Sequence, residues 1–164
     1  MHKIKIETYF ISILTISFVS IIVAYYIEYV LGYQPCNLCL IERIPYGLSV
    51  FLIFLNYLFK NNEKFIVLLL ILVFGFSLII SLYHFGIETG FLEESKVCGL
   101  KNNVNLLEKE EILKQLQEKT ISCKDVTFRI FGLSLTTLNI LLSLILTIIL
   151  IKIFKNYEKI KHKS

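Results

Sequence analysis

The uncharged run FIVLLLILVFGFSLIISLYHFGI, residues 65–87, decides what kind of fold this chain can adopt. Its 23 residues meet the roughly 20 that an α-helix needs to cross the hydrocarbon core of a bilayer. Further uncharged runs cover residues 9–27, 44–59 and 130–151. The second of these reaches spanning length only if its helix begins near residues 36–39. We therefore predict an all-α membrane protein, a four-transmembrane-helix bundle with spans at about 9–28, 39–59, 65–87 and 130–151.

Composition agrees with a single integral membrane domain over residues 1–164. Of the 164 residues, 55% are hydrophobic and only 18% are charged, so a soluble domain of this size would leave much apolar surface in water. The basic start before residue 9 resembles a signal peptide, but the run is long and no small-x-small cleavage site follows it. We therefore expect a retained first span. The net charge of +4 lies mostly at the C-terminus and does not indicate a nucleic-acid partner.

Basic residues predict the orientation of the bundle. Lysines concentrate in the N-terminus, in the short loop at residues 60–64 and in the tail from Lys152, whereas the outer loops at 29–38 and 88–129 are close to charge balance. The positive-inside rule then places both termini in the cytoplasm. All four cysteines face outward under this orientation, where disulfides persist.

The second outer loop has a helical pattern of its own. Leu106, Leu113 and Leu116 form an apolar stripe through Glu- and Lys-rich sequence between Cys98 and Cys123. This pattern predicts a short amphipathic helix, which either lies on the membrane surface or packs its stripe on the bundle.

The stretch QPCNLCLIER, residues 34–43, carries the residue types most typical of chemistry. In a helix that begins near Pro35, Cys36 and Cys39 lie one turn apart on one face, and Arg43 follows one turn later. A helix N-terminus and a nearby cation both lower a thiol pKa. With Cys98 and Cys123 on the same side, three interpretations are open: structural disulfides, a zinc site, or a redox relay between two cysteine pairs.

The spacing of the cysteines favours the relay. A Cys36–Cys39 disulfide closes a minimal loop and adds little stability, whereas a Cys98–Cys123 bridge closes a loop with 24 intervening residues and is more plausible as a staple. Zinc ribbons usually bring two close cysteine pairs, and this chain has one. A C-x-x-C pair at the outer edge of a span, with Arg43 a turn away, favours thiol–disulfide exchange.

Three local motifs make the chain similar to a known family: PCNLCLIER at residues 35–43, Tyr83-His84 near the end of the third span, and Cys123-Lys124-Asp125 followed by FGLSL at residues 131–135. With four spans and cysteine pairs in both outer loops, the chain resembles the DsbB disulfide-bond formation proteins, quinone-dependent oxidases of the bacterial inner membrane. The family commonly has Trp after the last cysteine, where Phe128 stands here. A Pro often follows its Gly-Leu-Ser motif, where Thr136 stands here.

The resemblance implies a membrane disulfide oxidoreductase that reoxidises a DsbA-like periplasmic thiol oxidoreductase and passes the electrons to a quinone, ubiquinone or menaquinone. The reduced partner would attack the Cys98–Cys123 disulfide through Cys98, and Cys123 would then attack Cys36. Cys39, freed as a thiolate, would donate to the quinone. The cysteine loops would be periplasmic and the protein in contact with membrane lipid. We expect a monomer, because a relay needs only one copy.

Two further side chains are candidates for binding the quinone. Arg43 can stabilise the Cys39 thiolate and hydrogen-bond a quinone carbonyl, or it can be an interfacial arginine that reaches the headgroups. His84 either faces the quinone, supplies a proton, or is an ordinary residue of the membrane interface. Glu42 points away from the face shared by Cys39 and Arg43, so we expect it to be a solvated neighbour.

Two alternatives remain at this point. A vitamin K epoxide reductase-like oxidoreductase also combines four spans, a C-x-x-C pair and a quinone, but that family carries the pair near its last span, whereas here the pair opens the second. The other alternative is a non-catalytic membrane protein with structural disulfides. Structural disulfides resist reduction, whereas the disulfides of a relay are reduced and re-formed as the partner protein reacts. The ease of reduction therefore distinguishes an oxidoreductase from a non-catalytic protein.

Overall fold

The computed structural model describes residues 3–58, 63–94, 98, 122–124, 128–130 and 132–162. The predicted amphipathic helix between Cys98 and Cys123 lies outside the described residues. Two short antiparallel strands, β1 (Arg129–Ile130) and β2 (Leu133–Ser134), precede the last helix. The helices of the described part are α1 (Lys3–Tyr29), α2 (Asn37–Ile41), α3 (Ile44–Leu58), α4 (Glu63–Glu88) and α5 (Leu135–His162).

The prediction of an all-α membrane bundle is confirmed. Among the described residues, four helical segments are long and apolar enough to cross a bilayer: Ile6–Tyr29, Asn37–Leu58, Glu63–Glu88 and Leu135–Tyr157. Many of their large apolar side chains point away from the bundle, as in Phe18, Phe51, Leu72 and Ile79. Such exposure carries no penalty in lipid, whose tails are as apolar as the side chains themselves. The chain is therefore a multi-pass membrane protein.

The second span is broken at its outer end. The short helix α2 ends at Ile41, Glu42 and Arg43 form a turn, and α3 begins at Ile44. Pro45 has no backbone N–H, so the carbonyl of Ile41 loses the donor that a continuous helix would supply four residues later. The span predicted for residues 39–59 is thus two helices, and the interruption lies where Pro45 predicts one.

The fourth span begins later and ends later than its apolar run. The predicted start at residue 130 falls in the β-hairpin, in which Ile130 pairs with Leu133 and Gly132 has a φ of +83°. The helix starts only at Leu135, where Ser134 Oγ accepts a hydrogen bond from the Thr137 N–H at 3.2 Å and so caps the first turn. Composition could not separate the two structures, because residues 130–134 are as free of charge as the start of the helix that follows them.

The core of the bundle forms where α4 packs along α5 and where α1 and α4 pack on α3. Ile53, Leu70, Phe74 and Leu150 are completely buried at its centre. Small polar side chains join the helices: Ser17 Oγ lies 2.8 Å from Ser49 Oγ, and Ser77 Oγ lies 3.0 Å from Ser143 Oγ. Serines let helices approach closely and satisfy each other in a setting without water.

The two ends of the bundle differ in composition. At one end, Tyr157 donates a hydrogen bond to Glu63 at 3.3 Å, and the Lys64 ammonium lies 5.7 Å from the centre of the Phe154 ring. The opposite end holds the start of α2, the last turns of α1 and α4, and the hairpin before α5. All four cysteines lie at this second end.

Candidate active site

The dithiol is built on the first turn of α2. Cys36 is the N-cap residue, with an extended backbone, and its Sγ accepts a hydrogen bond from the Cys39 N–H at 3.2 Å. Both thiols are free, Cys36 buried and Cys39 partly exposed. Hydrogen bonding from the Cys39 thiol, and after it contact with His84, lowers the pKa of the Cys36 thiol from 9.0 to about 5, although burial opposes the shift. Cys36 is therefore the more readily ionised thiol of the pair.

His84 lies directly behind Cys36. Its Nε2 is 3.6 Å from Cys36 Sγ, and its Nδ1 is 2.9 Å from Glu42 Oε1. The Thr136 hydroxyl, at a position where the resemblance leads one to expect Pro, lies 3.3 Å from the same Nδ1. These contacts join α4, the turn after α2 and the start of α5 around one imidazole ring.

The expectation that Glu42 is a solvated neighbour is wrong. Glu42 is only 8% exposed, and its second carboxylate oxygen accepts a hydrogen bond from Asn139 Nδ2 at 3.1 Å. The break before α3 explains the difference, because the helical face assigned from a continuous helix no longer holds at residue 42. A buried carboxylate is tolerated only where such partners meet it.

Asn139 is a site residue that sequence reasoning missed. Its amide donates to Ser81 Oγ at 2.7 Å as well as to Glu42, and its Oδ1 accepts a hydrogen bond from the Tyr46 hydroxyl. The available signal was an amide inside the uncharged run at residues 130–151, since a polar side chain at membrane depth usually has a partner.

Arg43 lies beside the dithiol but is not free. Its guanidinium forms an ion pair with Glu28 at 2.5 Å and lies 5.1 Å from the centre of the Tyr25 ring, both near the end of α1. Both members of the ion pair are largely buried, with side chains 17% and 19% exposed. The positive charge predicted to act on Cys39 is therefore shared with a carboxylate.

The second cysteine pair meets the first. Cys98 and Cys123 form a disulfide with a Cα–Cα distance of 5.4 Å, and both are buried. They pack in one cluster with Cys36, Leu38 and Ile87, and Cys39 borders that cluster. A zinc site built from four cysteine thiolates is incompatible with this disulfide. Cys36, Cys39 and His84 still bring three ligand-type atoms within 4.8 Å of one another, so a smaller metal site needs a direct test.

A carboxylate holds the second pair in place. Glu94 Oε1 accepts hydrogen bonds from the Cys123 N–H at 2.9 Å and from the Ser122 hydroxyl at 2.6 Å. These bonds tie the segment just after α4 to the segment that carries Cys123. Nothing in the sequence pattern pointed to Glu94, because it lies among several acidic residues of the outer loop.

A cavity of about 300 Å³ opens beside Cys39. It lies between α1, the connection before α2 and the start of α5, and Cys39, Glu42, Arg43 and Asn139 reach its wall. Most of its remaining lining is apolar or aromatic, including Phe128, whose ring packs 5.0 Å from Tyr33. Phe128, which stands where the resemblance leads one to expect Trp, is therefore part of the cavity wall. His84 is not among the residues that line this cavity.

Comparison with known proteins assigns the chain to a family. A family model described as Disulfide bond formation protein DsbB matches residues 7–153. An uncharacterised protein of Rickettsia prowazekii is 29% identical over 84% of this chain and 81% of its own length. Proteins named Disulfide bond formation protein B from Marinobacter nauticus and Cupriavidus pinatubonensis are each 29% identical, over 69% and 88% of this chain and 70% and 89% of their own lengths. No solved structure matches the chain. With its four spans and its two adjoining cysteine pairs, the chain belongs to the DsbB family of disulfide bond formation proteins.

Proposed function

We propose that this disulfide oxidoreductase reoxidises a DsbA-like thiol oxidoreductase in the periplasm and passes the electrons to a membrane quinone. The observation that carries the proposal is the position of Cys39. This thiol lies at the wall of an apolar cavity, while its partner Cys36 packs in one cluster with the Cys98–Cys123 disulfide. The dithiol therefore has the second cysteine pair on one side and room for an apolar acceptor on the other.

The cavity suits a quinone headgroup. Its volume of about 300 Å³ is at the lower end of the range for small-molecule sites, and its lining is mainly apolar and aromatic. Arg43 supplies a hydrogen-bond donor for a carbonyl oxygen, and Asn139 brings a second polar group to the wall. A bound quinone would supply the acceptor for two electrons and two protons. Arg43 and, behind the dithiol, His84 are the side chains we propose for the quinone step.

The thiol chemistry follows from the two cysteine pairs. A thiolate of the reduced partner attacks Cys98, the Cys98–Cys123 bond breaks, and Cys123 leaves as a thiolate. Cys123 then attacks Cys36 of an oxidised Cys36–Cys39 pair and frees Cys39. Each exchange forms one S–S bond and breaks one, so no net oxidation occurs until electrons leave through Cys39. The second thiol of the partner then attacks its mixed disulfide, which releases the oxidised partner and a Cys98 thiolate. Cys98 attacks Cys123, which re-forms the Cys98–Cys123 disulfide and frees Cys36. Closure of the Cys36–Cys39 disulfide, as two electrons leave through Cys39, then restores the starting state.

The orientation proposed with this function places both termini in the cytoplasm of a cell with a bacterial inner membrane. It rests on the lysines of the N-terminus, of the loop after α3 and of the tail from Lys152. Under this orientation the cysteine end of the bundle faces an oxidising compartment, which the proposed direction of electron flow requires.

The test is quinone reduction by the purified protein in detergent, with a reduced DsbA-type protein as donor and ubiquinone or menaquinone analogues as acceptors. We expect wild-type protein to produce quinol with at least one of them. Cys39→Ser should abolish the reaction while leaving thiol exchange between the donor and Cys98 detectable as a mixed disulfide. Glu63→Gln, a carboxylate change at the opposite end of the bundle, serves as the matched control.

The same assay can reject the proposal. Absence of quinol with both acceptors from a protein whose thermal unfolding is cooperative would exclude the quinone-linked oxidase. Quinol production that persists in Cys39→Ser would remove Cys39 from the electron path.

A further inference from the structure

A continuous line of polar atoms runs behind the dithiol, from Cys36 through His84 to Glu42. Cys36 Sγ lies 3.6 Å from His84 Nε2, and His84 Nδ1 lies 2.9 Å from Glu42 Oε1. The three residues are 5%, 3% and 8% exposed. The arrangement places a thiol, an imidazole and a carboxylate in a row in which each group can hydrogen-bond the next. Electron transfer through Cys39 does not by itself explain why these three groups are connected.

We propose that His84 accepts the proton of the Cys36 thiol when Cys36 closes the disulfide with Cys39, and that Glu42 is the positioning residue that fixes the His84 ring for this step. This inference deepens the proposed function and rests on it, because closure of the Cys36–Cys39 disulfide is the last step of the relay. It also gives His84 a contact with a reacting sulfur atom instead of a place in the cavity wall.

The burial of Cys36 makes a protein acceptor necessary. A thiol must lose its proton to become the nucleophile, and Cys36 is almost closed to solvent. Among the described residues, the side chain of Cys36 has hydrogen-bonding contacts with Cys39 and with His84. Cys39 carries the sulfur that is attacked, so it cannot also remove the proton. His84 is the remaining acceptor.

Glu42 determines which nitrogen of the His84 ring can accept a proton. A carboxylate accepts hydrogen bonds, so its contact with Nδ1 places a proton on Nδ1 and leaves the Nε2 lone pair toward Cys36 in the neutral ring. Once Nε2 is protonated, the adjacent carboxylate stabilises the imidazolium. Asn139 in turn holds the second oxygen of Glu42 at 3.1 Å. Among the described residues, the titratable groups near the His84 ring are Cys36, Glu42 and Cys39, whose Sγ lies within 4.8 Å of a ring nitrogen. The Thr136 hydroxyl completes the described hydrogen-bonding contacts of the ring.

The step balances with any two-electron oxidant bonded to Cys39. Cys36 Sγ forms a bond with Cys39 Sγ, the bond between Cys39 and its oxidant breaks, and the leaving group departs with the electron pair. The Cys36 proton passes to His84 Nε2 and from there to the leaving group. With glutathione disulfide, Cys39 first forms a mixed disulfide and releases one glutathione, because Cys39 is partly exposed whereas Cys36 is buried. Closure then releases the second, so one dithiol and one glutathione disulfide give one protein disulfide and two glutathiones.

Glutathione disulfide therefore tests the inference without quinone or partner protein. The full chain carrying Cys98→Ala and Cys123→Ala is reduced and mixed with glutathione disulfide. Mass spectrometry then follows the conversion of the Cys39 mixed disulfide to the internal disulfide from about pH 6 to about pH 9. In this background the variants are His84→Gln and Glu42→Gln, with Glu63→Gln as the control.

We expect the closure rate of the reference chain and of Glu63→Gln to change little with pH. In His84→Gln it should be roughly tenfold lower near pH 6 and equal or higher near pH 9. Each unit by which a thiol pKa rises above the ambient pH costs about tenfold in thiolate, and higher nucleophilicity restores only about threefold. Glu42→Gln should show the same trend with a smaller loss, because its amide oxygen still orients the ring.

A loss in His84→Gln that is equal at all pH values would overturn the inference, since that is the behaviour of a merely structural side chain. Wild-type rates in His84→Gln would overturn it as well. Stoichiometric zinc in the purified reduced chain that disappears in His84→Gln would also overturn it, because Nε2 would then be a metal ligand. Failure of this closure test leaves quinone reduction to be judged in its own assay, so the two proposals can fail separately.

A second measurement needs no change at the site. Histidine labelled with ¹⁵N in a chain carrying His2→Gln and His162→Gln reports the His84 ring alone. With the Cys36–Cys39 disulfide formed, at about pH 9, we expect the proton on Nδ1 and a free Nε2. A proton on Nε2 under these conditions would overturn the inference, because the nitrogen that faces Cys36 could not accept another.

Discussion

At the residue scale, the thiol of the C-x-x-C pair whose pKa is lowered is Cys36, whereas the spacing to Arg43 predicts that Cys39 is the stabilised thiolate. The distance in sequence from Cys39 to Arg43 predicts that this cation stabilises the Cys39 thiolate. In the structure Arg43 pairs with Glu28, whereas Cys36 receives the Cys39 hydrogen bonds and the contact with His84. The spacing rule assumes a continuous helix, and the turn at residues 42–43 removes that assumption.

The ionisation of Cys36 gives the first prediction at this scale. Its pKa is lowered to about 5, first by hydrogen bonding from the Cys39 thiol, so its thiolate persists above about pH 5 and is lost below it. We predict that alkylation of Cys36 in the reduced protein is nearly constant from about pH 6 to about pH 9 and falls below pH 5. Cys39→Ala should raise the pKa of the Cys36 thiol, so that the rate of Cys36 alkylation increases with pH. Peptide mass mapping after timed iodoacetamide treatment measures both.

The control for this experiment is the unfolded chain. In denaturant the Cys36 thiol should react as an ordinary thiol, with a rate that rises about tenfold per pH unit below its pKa. The same steep rise in the folded wild-type protein would contradict the prediction.

Arg43 gives the second prediction. We predict that Arg43→Ala raises the quinone KM about tenfold or more while changing kcat less, because a hydrogen bond to a charged group contributes about 1.5–3 kcal/mol. Glu28→Gln is the matched variant. It removes the negative charge that pairs with Arg43 and leaves the guanidinium at the cavity, so the KM for quinone should change by less than about threefold. Steady-state quinone reduction at several quinone concentrations measures both.

The two variants together distinguish a role of Arg43 in binding the quinone from a role in packing α1. An unchanged KM in Arg43→Ala would make Arg43 an interfacial arginine without contact to the acceptor. Equal defects in Arg43→Ala and Glu28→Gln would mean that the ion pair acts by holding α1 in place, and not through the donor at the cavity wall.

At the element scale, hydrophobicity predicted the number and order of the spans but not all of their ends. The apolar run at residues 65–87 agrees with α4 to within two residues at its start and one at its end. By contrast, α5 begins five residues after the start of its run and continues to His162. An apolar run marks the part of a chain that suits lipid, whereas helix ends depend on caps and turns such as Ser134 and Gly132.

The hairpin before α5 gives a prediction about stability. Gly132 has a φ of +83°, in a region that costs a side-chain-bearing residue about 1–2 kcal/mol, and a Cβ there would meet nothing within 4 Å. Gly132→Ala should therefore lower the thermal midpoint through backbone strain alone. Gly75→Ala is the matched control, since its Cβ also meets nothing within 4 Å but its backbone is helical, so it should be neutral or stabilising by about 0.5–1 kcal/mol.

Thermal unfolding in detergent at one fixed scan rate compares the two alanine variants. Equal midpoints for Gly132→Ala and Gly75→Ala would contradict the prediction. A lower quinone reduction rate in Gly132→Ala at a temperature well below its midpoint would show that the hairpin also shapes the cavity, to which Ile130 contributes.

At the scale of the whole molecule, the sequence could single out candidate reactive residues but not the contacts between them. The C-x-x-C pair, Arg43 and His84 are recognisable because their types and spacing are unusual in apolar sequence. Glu42, Asn139 and Thr136 acquire their places only when α2, α4 and α5 pack together, and no local pattern reports that packing. A buried polar network is a property of the assembled bundle.

The orientation of the bundle gives the last prediction. Five lysines follow the apolar part of α5, at positions 152, 155, 159, 161 and 163, and further lysines lie near the N-terminus and after α3. Because lysines in short flanks remain on the cytoplasmic side, a green fluorescent protein fused after Ser164 should fluoresce, and alkaline phosphatase fused there should be inactive. Phosphatase fused after Glu94 should be active. The reverse pattern would put both cysteine pairs in the reducing cytoplasm, where the Cys98–Cys123 disulfide would not persist and the proposed flow of electrons could not operate.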